Sequence, residues 1–513
     1  MRRRRVAEVV SLLIWTAEEA RAADRQAEAE GTAGAWLMEA AGAAVARAVR
    51  QLGAGRVLVV AGPGQNGGDG WVAARRLARA GATVRVAAPL GVRFAEGERW
   101  RAAALGAGAT VVPAETVLEA ARWADVVIDA GFGTGLARPL APAFQAVLDA
   151  VREAGRPVVA VDLPSGVDTD DGGLRGDPVP ATVTVTFGAL KPAHVLHPAA
   201  AYAGRLVVAD IGLPRRVGKA WRVDEPERLV ALLGERPATA HKYRSGRLTV
   251  VAGSRAYAGA AGLCGLAAVR TGAGYVEVLT PEAAAVRLRW LPLIVRPQAV
   301  DDVGRLVLGP DGRDAVARAA AVVVGPGLGP TRPDVLDVAR ATGRPAVVDA
   351  DALAAWAALG RPHWPSAVFT PHEGEAARVL GTNPGWVATH RREAARALAE
   401  MTGGVVVLKG PRTLVAAAGD PAVWVNWAGG PELATAGTGD VLAGMVGTLL
   451  ARGLAPADAA RLAVWWHGAA GHLAARELGR EAVGAQDVAE RIGRARAELA
   501  AGWRPPDWPE EGF

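Results

Sequence analysis

The chain has 513 residues, 51% of them hydrophobic and 21% charged, with a formal charge of +6. That length exceeds one ordinary core, so two or three domains are expected, and the single cysteine, Cys264, excludes an internal disulfide framework and reads as a small buried apolar side chain in a reducing compartment. Apart from the run Arg2–Arg5 the basic residues are dispersed and not interleaved with aromatics, which argues against a nucleic-acid partner. No apolar run reaches membrane-spanning length, so no membrane partner and a cytoplasmic location are expected.

The stretch Val9–Trp15 is too short, and too close to Glu8, Glu18 and Glu19, to be a signal peptide; Thr16-x-x-Glu19 reads as a capping box opening the first helix. A strand at Arg56–Ala61 runs into GPGQNGGDG (Gly62–Gly70), then a helix near Trp71–Arg79 and a strand at Thr83–Ala88. Further strands read at Asp125–Asp129, Pro157–Asp162, Thr182–Phe187 and Leu206–Asp210. Continuous apolar strands alternating with helices indicate a parallel sheet covered on both faces. Asp129 and Asp162 end strands at the edge where open α/β sheets hold ligands, and the glycine loop closes its strand at that same edge. Asn66, Asp69, Asp129 and Asp162 are therefore expected to converge. Gly212–Arg244 breaks into Pro, Arg and Glu and is the candidate linker. A second alternating series follows: Leu248–Ala252, a small-residue helix Gly259–Thr271, Tyr275–Leu279, Ala321–Val324, Ala346–Asp349, Ala367–Thr370 and Val405–Leu408. It closes with ATAGTGDVLAG (Ala434–Gly444), a helix Val441–Arg452, and helices around Ala463–Glu477 and Asp487–Ala500. No repeat relates the halves, which read as two different α/β domains.

Neither glycine loop is G-x-x-x-x-G-K-[ST], and neither fits G-x-G-x-x-G cleanly. Each nevertheless aims bare N–H groups and a helix N-terminus at an anion, so two active sites for phosphorylated or nucleotide-like molecules are expected. At the second loop the amides of Gly437, Thr438 and Gly439 form a hole for a transferring phosphoryl group, and Asp440 can take a proton from an attacking hydroxyl. Of 58 basic residues four are lysines: Lys191, Lys219, Lys242 and Lys409. A lysine kept in so arginine-rich a chain suggests a compact point charge that Arg cannot supply; Lys191 is accordingly expected at a phosphate or active site, whereas His194 and His197 read as structural.

GPGQNGGDG, with IDAGFGTGL (Ile128–Leu136) and VDLPSGVDTDDG (Val161–Gly172), resembles the epimerase domain of the NAD(P)H-hydrate repair enzymes. The resemblance implies a Rossmann-like three-layer sandwich over 1–215. It implies a potassium ion on Asn66, Asp129 and Ser165, and the hydrated nicotinamide nucleotide against Gln65, Asn66, Gly67, Gly68, Asp69, Gly133, Thr134, Gly135, Leu136, Ala137, Arg138, Pro139 and Asp162, with Asp162 catalytic. The chain departs from the family in having Gln65 for the usual Asn, and Ala40 for the Asn of MENAG.

In the second half VAGSRAYAGAAG (Val251–Gly262), GPGLG (Gly325–Gly329), TPHEGEAARVL (Thr370–Leu380), LKGPRT (Leu408–Thr413) and GTGD occur in order. Together they resemble the nucleotide-dependent dehydratase domain of the same enzymes, a ribokinase-like three-layer sandwich over 216–513. The resemblance places the hydrated substrate against Ala260, Gly327, His372 and Asp440, with Asp440 the base, and the adenylate against Lys409, Gly410, Pro411, Arg412, Thr413 and Gly439. Glu432 stands where the family usually has Gly, and HKGxxG appears as His241–Gly246. The fusion resembles the bacterial form, which implies ADP with Mg²⁺; NADHX and NADPHX are the expected substrates, and a homo-oligomer is expected, although the sequence does not give the oligomeric state. The sequence itself does not separate ADP from ATP. The alternatives are an ordinary small-molecule kinase for the second half and a binding module without catalysis for the first.

Overall fold

Alternate side chains of the strand before the first glycine loop enter different cores. In the computed structural model, which describes residues 12–215, 218–233 and 245–512, strand β1 (Arg56–Ala61) sends Val57, Val59 and Ala61 into one buried cluster with Val45 and Trp71. Leu58 and Val60 enter another with Val117, Phe144 and Leu148. Successive strand side chains point to opposite faces. The sheet is therefore the middle layer of three, between helices Gly34–Gln51 and Gln65–Arg79 on one side and Val117–Trp123 and Pro142–Ala154 on the other. Strands β2 (Thr83–Ala87), β3 (Thr110–Val112), β4 (Val126–Ala130), β5 (Val158–Val161), β6 (Val183–Phe187) and β7 (Arg205–Ala209) complete it in the order β7-β6-β5-β4-β1-β2-β3, every pairing parallel.

The chain forms two compact units, Met1–Arg222 with Asp507–Phe513, and Val223–Pro506. The second is built on a sheet of β8 (Trp221–Val223), β9 (Arg247–Val251), β10 (Tyr275–Pro281), β11 (Ile294–Val300), β12 (Leu306–Val307), β13 (Ala321–Val324), β14 (Ala346–Val348), β15 (Ala367–Phe369), β16 (Val405–Leu408), β17 (Leu414–Ala417) and β18 (Val423–Val425). Their order is β12-β11-β10-β9-β13-β14-β15-β16-β17-β18-β8. The run from β11 to β16 is parallel, while β12 and β17 pair antiparallel with their neighbours. Helix Thr438–Ala451 packs closely on helix Ala258–Thr271 at Gly444: a methyl there would lie 2.2 Å from the Cys264 carbonyl oxygen, and Cys264 is fully buried. Strand β19 (Glu510–Glu511) returns to the first unit and lies parallel on the outer edge of β7, with Glu510 2.5 Å from Arg205.

Expected strands and most helices are present with ends moved by a residue or two, the helix expected around Ala463–Glu477 begins seven residues earlier at Pro456, and the Thr16–Glu19 capping box is formed. Both glycine motifs are more helical than expected. The first helix starts at Gln65 instead of near Trp71, and the second at Thr438 instead of Val441. Glycine's low helix propensity suggests a loop, but these glycines are required by close packing. A methyl on Gly67 would sit 1.9 Å from the Gly62 carbonyl oxygen, one on Gly68 2.7 Å from the Met38 sulfur, and one on Gly70 2.5 Å from Ala130 Cβ. The linker region Gly212–Arg244 contains β8 and a short helix, Pro226–Ala231. Arg2–Arg5, residues 9–11 of the stretch before the first helix, and positions 241–244 of the His241–Gly246 motif, Lys242 among them, lie outside the described residues.

Two candidate active sites

In the first unit β5 delivers Asp162 to the sheet edge in the left-handed backbone region, at φ 64°, which a non-glycine residue holds only when its surroundings insist. They do so on both sides of its Cα. The main chain is fixed by Asp162 N donating to the Val185 carbonyl at 2.8 Å and by His194 Nε2 at 2.9 Å from the Asp162 carbonyl. The Lys191 amide donates to His194 Nδ1, so Nε2 carries the ring proton. Burial, then the charge of Lys191, push the His194 ring down to about 4 and keep it neutral. On the side chain, Lys191 Nζ lies 2.7 Å from Asp162 Oδ1, and Thr186 Oγ1 donates to the same oxygen at 2.9 Å. Lys191 is buried, and its ammonium is also held by Thr186 Oγ1 and the carbonyls of Phe187 and Ala189. Burial is the largest influence and alone would raise the Asp162 carboxyl; the Lys191 charge and hydrogen bond, with His194 and the Thr186 hydroxyl, together outweigh it and leave that group below the ordinary range.

A cavity of about 660 Å³ opens in front of this pair, lined by Gln65, Asn66, Asp69, Gly133, Thr134, Gly135 and Asp162 among the expected residues. Gly67 and Gly68 turn inward behind the loop, and Leu136 packs into the core; neither these nor Ala137, Arg138 and Pro139 line the cavity. Asn66 Oδ1 and Asp162 Oδ2 crowd the same point, since a methyl on Gly133 would meet them at 3.0 and 2.9 Å. Burial, with Asp162 and Asp24 nearby, lifts the Asp69 carboxyl well above its ordinary value. Asp129, on the face of β4 away from Ile128, accepts from Ser165 Oγ at 2.6 Å, Ser165 N at 2.8 Å and Gly131 N at 3.2 Å, while Phe132 N donates to Ser165 Oγ. Asp129 and Ser165 thus brace one another, whereas Asn66 borders the cavity. A carboxylate offers about four lone-pair positions, and three at Asp129 are taken. Burial raises the Asp129 carboxyl, and among the described residues no cationic side chain pairs with it.

In the second unit the end of β14 presents Asp349, buried, whose Oδ1 accepts from Thr370 Oγ1 at 2.6 Å and from Lys409 Nζ at 3.0 Å. Lys409 Nζ is also 3.9 Å from Glu375, which accepts from the His372 amide in a capping box, while His372 Nδ1 accepts from Gly374 N. Burial works against the Lys409 charge, but Asp349 and Glu375 more than restore it. The amino end of helix Thr438–Ala451 faces this lysine: a methyl on Gly439 would be 3.4 Å from Nζ, and Gly437 takes φ 94° to turn the chain into the helix. Asp440, on the first turn, is half-buried. Burial, then the nearby Asp349 charge, push its carboxyl up to about 7 against the pull of Lys409. Ala260 and Gly327 touch, since a methyl on Gly327 would fall 2.6 Å from Ala260 Cβ. The turn Lys409–Thr413 between β16 and β17 is stiffened from three sides. Arg412 stacks on Trp427 at 4.4 Å and donates to its carbonyl, Thr413 Oγ1 donates to the Gly410 carbonyl, and the buried Arg391 guanidinium packs beneath Gly410 while ion-paired to Glu373.

Sequence reasoning missed Asp349, Glu375 and Asp24. Asp349 ends an apolar strand just as Asp129 and Asp162 do, and the same rule finds it. Glu375 stands three residues after the helix-capping His372, which is a readable signal. Asp24 lies mid-helix with no local signature.

Two α/β units, each with a glycine-amide helix start facing a lysine–carboxylate pair, define a two-site enzyme for anionic, nucleotide-like small molecules. Residues 248–494 match the family model described as NAD(P)H-hydrate dehydratase, and residues 34–193 the one described as YjeF-related protein N-terminus. The bifunctional NAD(P)H-hydrate repair enzyme of Thermofilum pendens is 38% identical over 479 residues, 89% of this chain and 91% of the relative. That of Escherichia coli is 34% identical over 497 residues, 94% and 93% of the two chains. The Bacillus subtilis ADP/ATP-dependent NAD(P)H-hydrate dehydratase, co-crystallised with ATP and Mg²⁺, is 29% identical, covering 53% of this chain and 97% of its own, with a TM-score of 0.46. The chain belongs to the bifunctional NAD(P)H-hydrate repair enzymes, and its two matched segments are their epimerase and dehydratase domains. Among the described residues no helix is long and apolar enough to cross a membrane.

Proposed function

We propose that the first unit interconverts the R and S epimers of NAD(P)HX at the Asp162–Lys191 pair, within about 1–215, and that the second, within 216–513, dehydrates the S epimer at Asp440 with ADP as donor. The observation that carries the second reaction is Asp440 itself: its carboxyl, pushed up to about 7, stands on the helix turn whose amides face Lys409. A base of that strength is matched to neutral pH. Asp440 takes the proton of the C6 hydroxyl as its oxygen attacks the terminal phosphoryl group of ADP, and AMP departs. The amides of Gly437 to Gly439 and the Lys409 ammonium stabilise charge on the moving group. The ring N1 electron pair then expels phosphate from C6, and loss of the C5 proton restores the reduced ring. Ala260, Gly327 and His372 hold the hydrated substrate, and Lys409–Thr413 with Gly439 hold the adenylate. Mg²⁺ on the donor phosphates suits this site, because such an ion needs only one or two protein carboxylates, and Asp349 and Glu375 are at hand. Pure protein given mixed NADHX epimers and ADP is expected to restore absorbance at 340 nm and release free phosphate. A phosphorylated nucleotide accumulating instead would identify a kinase.

Potassium at Asn66, Asp129 and Ser165 is supported by the buried Asp129 carboxylate and its remaining lone pair. One carboxylate with neutral oxygens carries too little charge for a divalent ion and lacks the nitrogen or sulfur that zinc prefers. Asp129→Ala is expected to abolish epimerisation, or make it insensitive to potassium, while dehydration of pure S substrate continues. Thallium-soaked crystals without an anomalous peak beside these three side chains would leave Asp129 and Ser165 as a hydrogen-bonded brace alone. A cytoplasmic setting agrees with the reduced, buried Cys264.

A further inference from the structure

Helix Ala17–Ala29 precedes the segment 34–193 that matches the family model, yet it forms one wall of the cavity at the Asp162–Lys191 pair. Ala20, Arg21, Asp24, Arg25 and Glu28 recur at helical spacing on that wall. The helix is seated firmly. Its amino end is closed by the Thr16–Glu19 capping box and by Asp170, which accepts from the Ala17 amide at 2.8 Å. Just before it, Leu190 N donates to the Leu13 carbonyl and Trp15 N to the Leu190 carbonyl, both at 2.9 Å. Leu190 is the neighbour of Lys191, so the helix and the lysine are registered by one short ladder.

We propose that Asp24 is a catalytic residue of the epimerisation, the proton donor to the C6 hydroxyl, working with Asp162 as the base. The inference rests on the cavity before Asp162 being the epimerase site. Three carboxylates meet there: Asp24, Asp69 from helix Gln65–Arg79, and Asp162 after β5. Lys191 is committed to Asp162 at 2.7 Å, and among the described residues no ion pair engages Asp24. Asp24 is solvent-exposed at the rim of the cavity, where partial desolvation raises its carboxyl, opposed by Lys191 and Arg25 and reinforced by Asp162 and Glu28. Two carboxyls driven apart by their surroundings are the pattern of an acid and a base sharing one substrate. Asn66 Nδ2, buried with no hydrogen-bond partner, borders the same cavity and can donate to a substrate oxygen.

The chemistry balances with water alone. The Asp24 proton passes to the C6 hydroxyl oxygen, the C6–O bond breaks as the N1 electron pair forms C6=N1, and water is released into the cavity. Water adds back to the other face of C6, the π electrons return to N1, and the proton shed by the adding water passes to Asp162. Solvent exchange between the carboxyls resets the pair. One water leaves and one enters, with no oxidant or reductant.

The test uses the full-length protein, R-NADHX and excess ADP, read at 340 nm, with S-NADHX dehydration as internal control. Asp24→Asn is expected to slow consumption of the R epimer by about a hundredfold or more, chiefly in kcat, and to flatten one limb of the pH profile. Asp24→Glu is expected to keep activity within about tenfold of the parent, because it preserves the acid. Asp162→Asn serves as comparator. If Asp24→Asn matches the parent while Asp162→Asn is inactive, Asp24 is no catalyst and the site stands. If both variants match the parent, the cavity is not the epimerase site. A change in KM alone, with the pH profile intact, would also overturn the assignment. Should Asp24→Asn fail to fold, a folded but inactive Asp24→Glu would do the same.

Discussion

Asp440→Asn is expected to lower dehydration of the S epimer by roughly 10²–10⁴-fold, the range for removal of a positioned general base, with nucleotide affinity retained. The amide is nearly isosteric and keeps the helix start, so the loss reports proton transfer. Turnover near that of the parent would remove Asp440 from the mechanism. The same residue sets a pH dependence. The base works only when ionised and its carboxyl stands at about 7, so kcat/KM should fall about tenfold for each pH unit below that point and level off above it. The stability effect runs the other way. With the folded-state value raised above the unfolded one, the unfolded chain sheds the proton first as pH climbs. Native stability is therefore lost between about 4 and 7, and Asp440→Asn should unfold at higher denaturant than the parent at pH 8. Equal midpoints at pH 8 would mean that the carboxyl is not raised.

Lys191→Met is expected to abolish epimerisation and to destabilise the first unit by about 3–5 kcal/mol, the cost of stranding one partner of a buried ion pair. Asp162 would keep its burial and lose the charge that lowers it. In the parent that depressed value stabilises the fold above the unfolded carboxylate range and is lost as pH falls through it; in the variant the sign reverses, and stability should decline as pH rises. Lys191→Arg should not rescue, because the ammonium is a point charge enclosed by Thr186 Oγ1, two carbonyls and Asp162. Epimerisation surviving in Lys191→Met would show the pair to be structural only. Dehydration of pure S substrate is expected to continue in either variant.

Which parts of this were legible follows from how local each feature is. Strand-end placement of Asp129 and Asp162 is a property of a few consecutive residues, and it was readable. So was the pull of a rare lysine toward chemistry: Lys191 and Lys409 each hold a buried aspartate. The helical state of both glycine motifs was not, because it depends on what Gly68, Gly70 and Gly444 press against in remote segments. Asn66, Asp129 and Ser165 were expected together, yet the sequence could not tell that Asp129 and Ser165 would satisfy each other while Asn66 turned to the cavity. Asp24 was invisible for the same reason. The ladder between Leu13–Trp15 and Leu190, more than a hundred residues apart in the chain, and the Asp170 contact to the Ala17 amide bring its helix to the site.

Strand β19 carries a consequence for the order in which the chain can be built. Translation delivers Glu510 and Glu511 only after the entire second unit, so the nascent first unit waits on the ribosome with the outer edge of β7 unpaired. An exposed parallel edge of Leu206, Val207 and Val208 is a template for strand pairing between chains, and the two glutamates that cover it arrive with the charge that Arg205 and Arg215 await. Cutting the gene between the two units therefore does not yield two complete proteins. The amino-terminal product inherits, permanently, the sticky edge that the intact polypeptide bears only during synthesis.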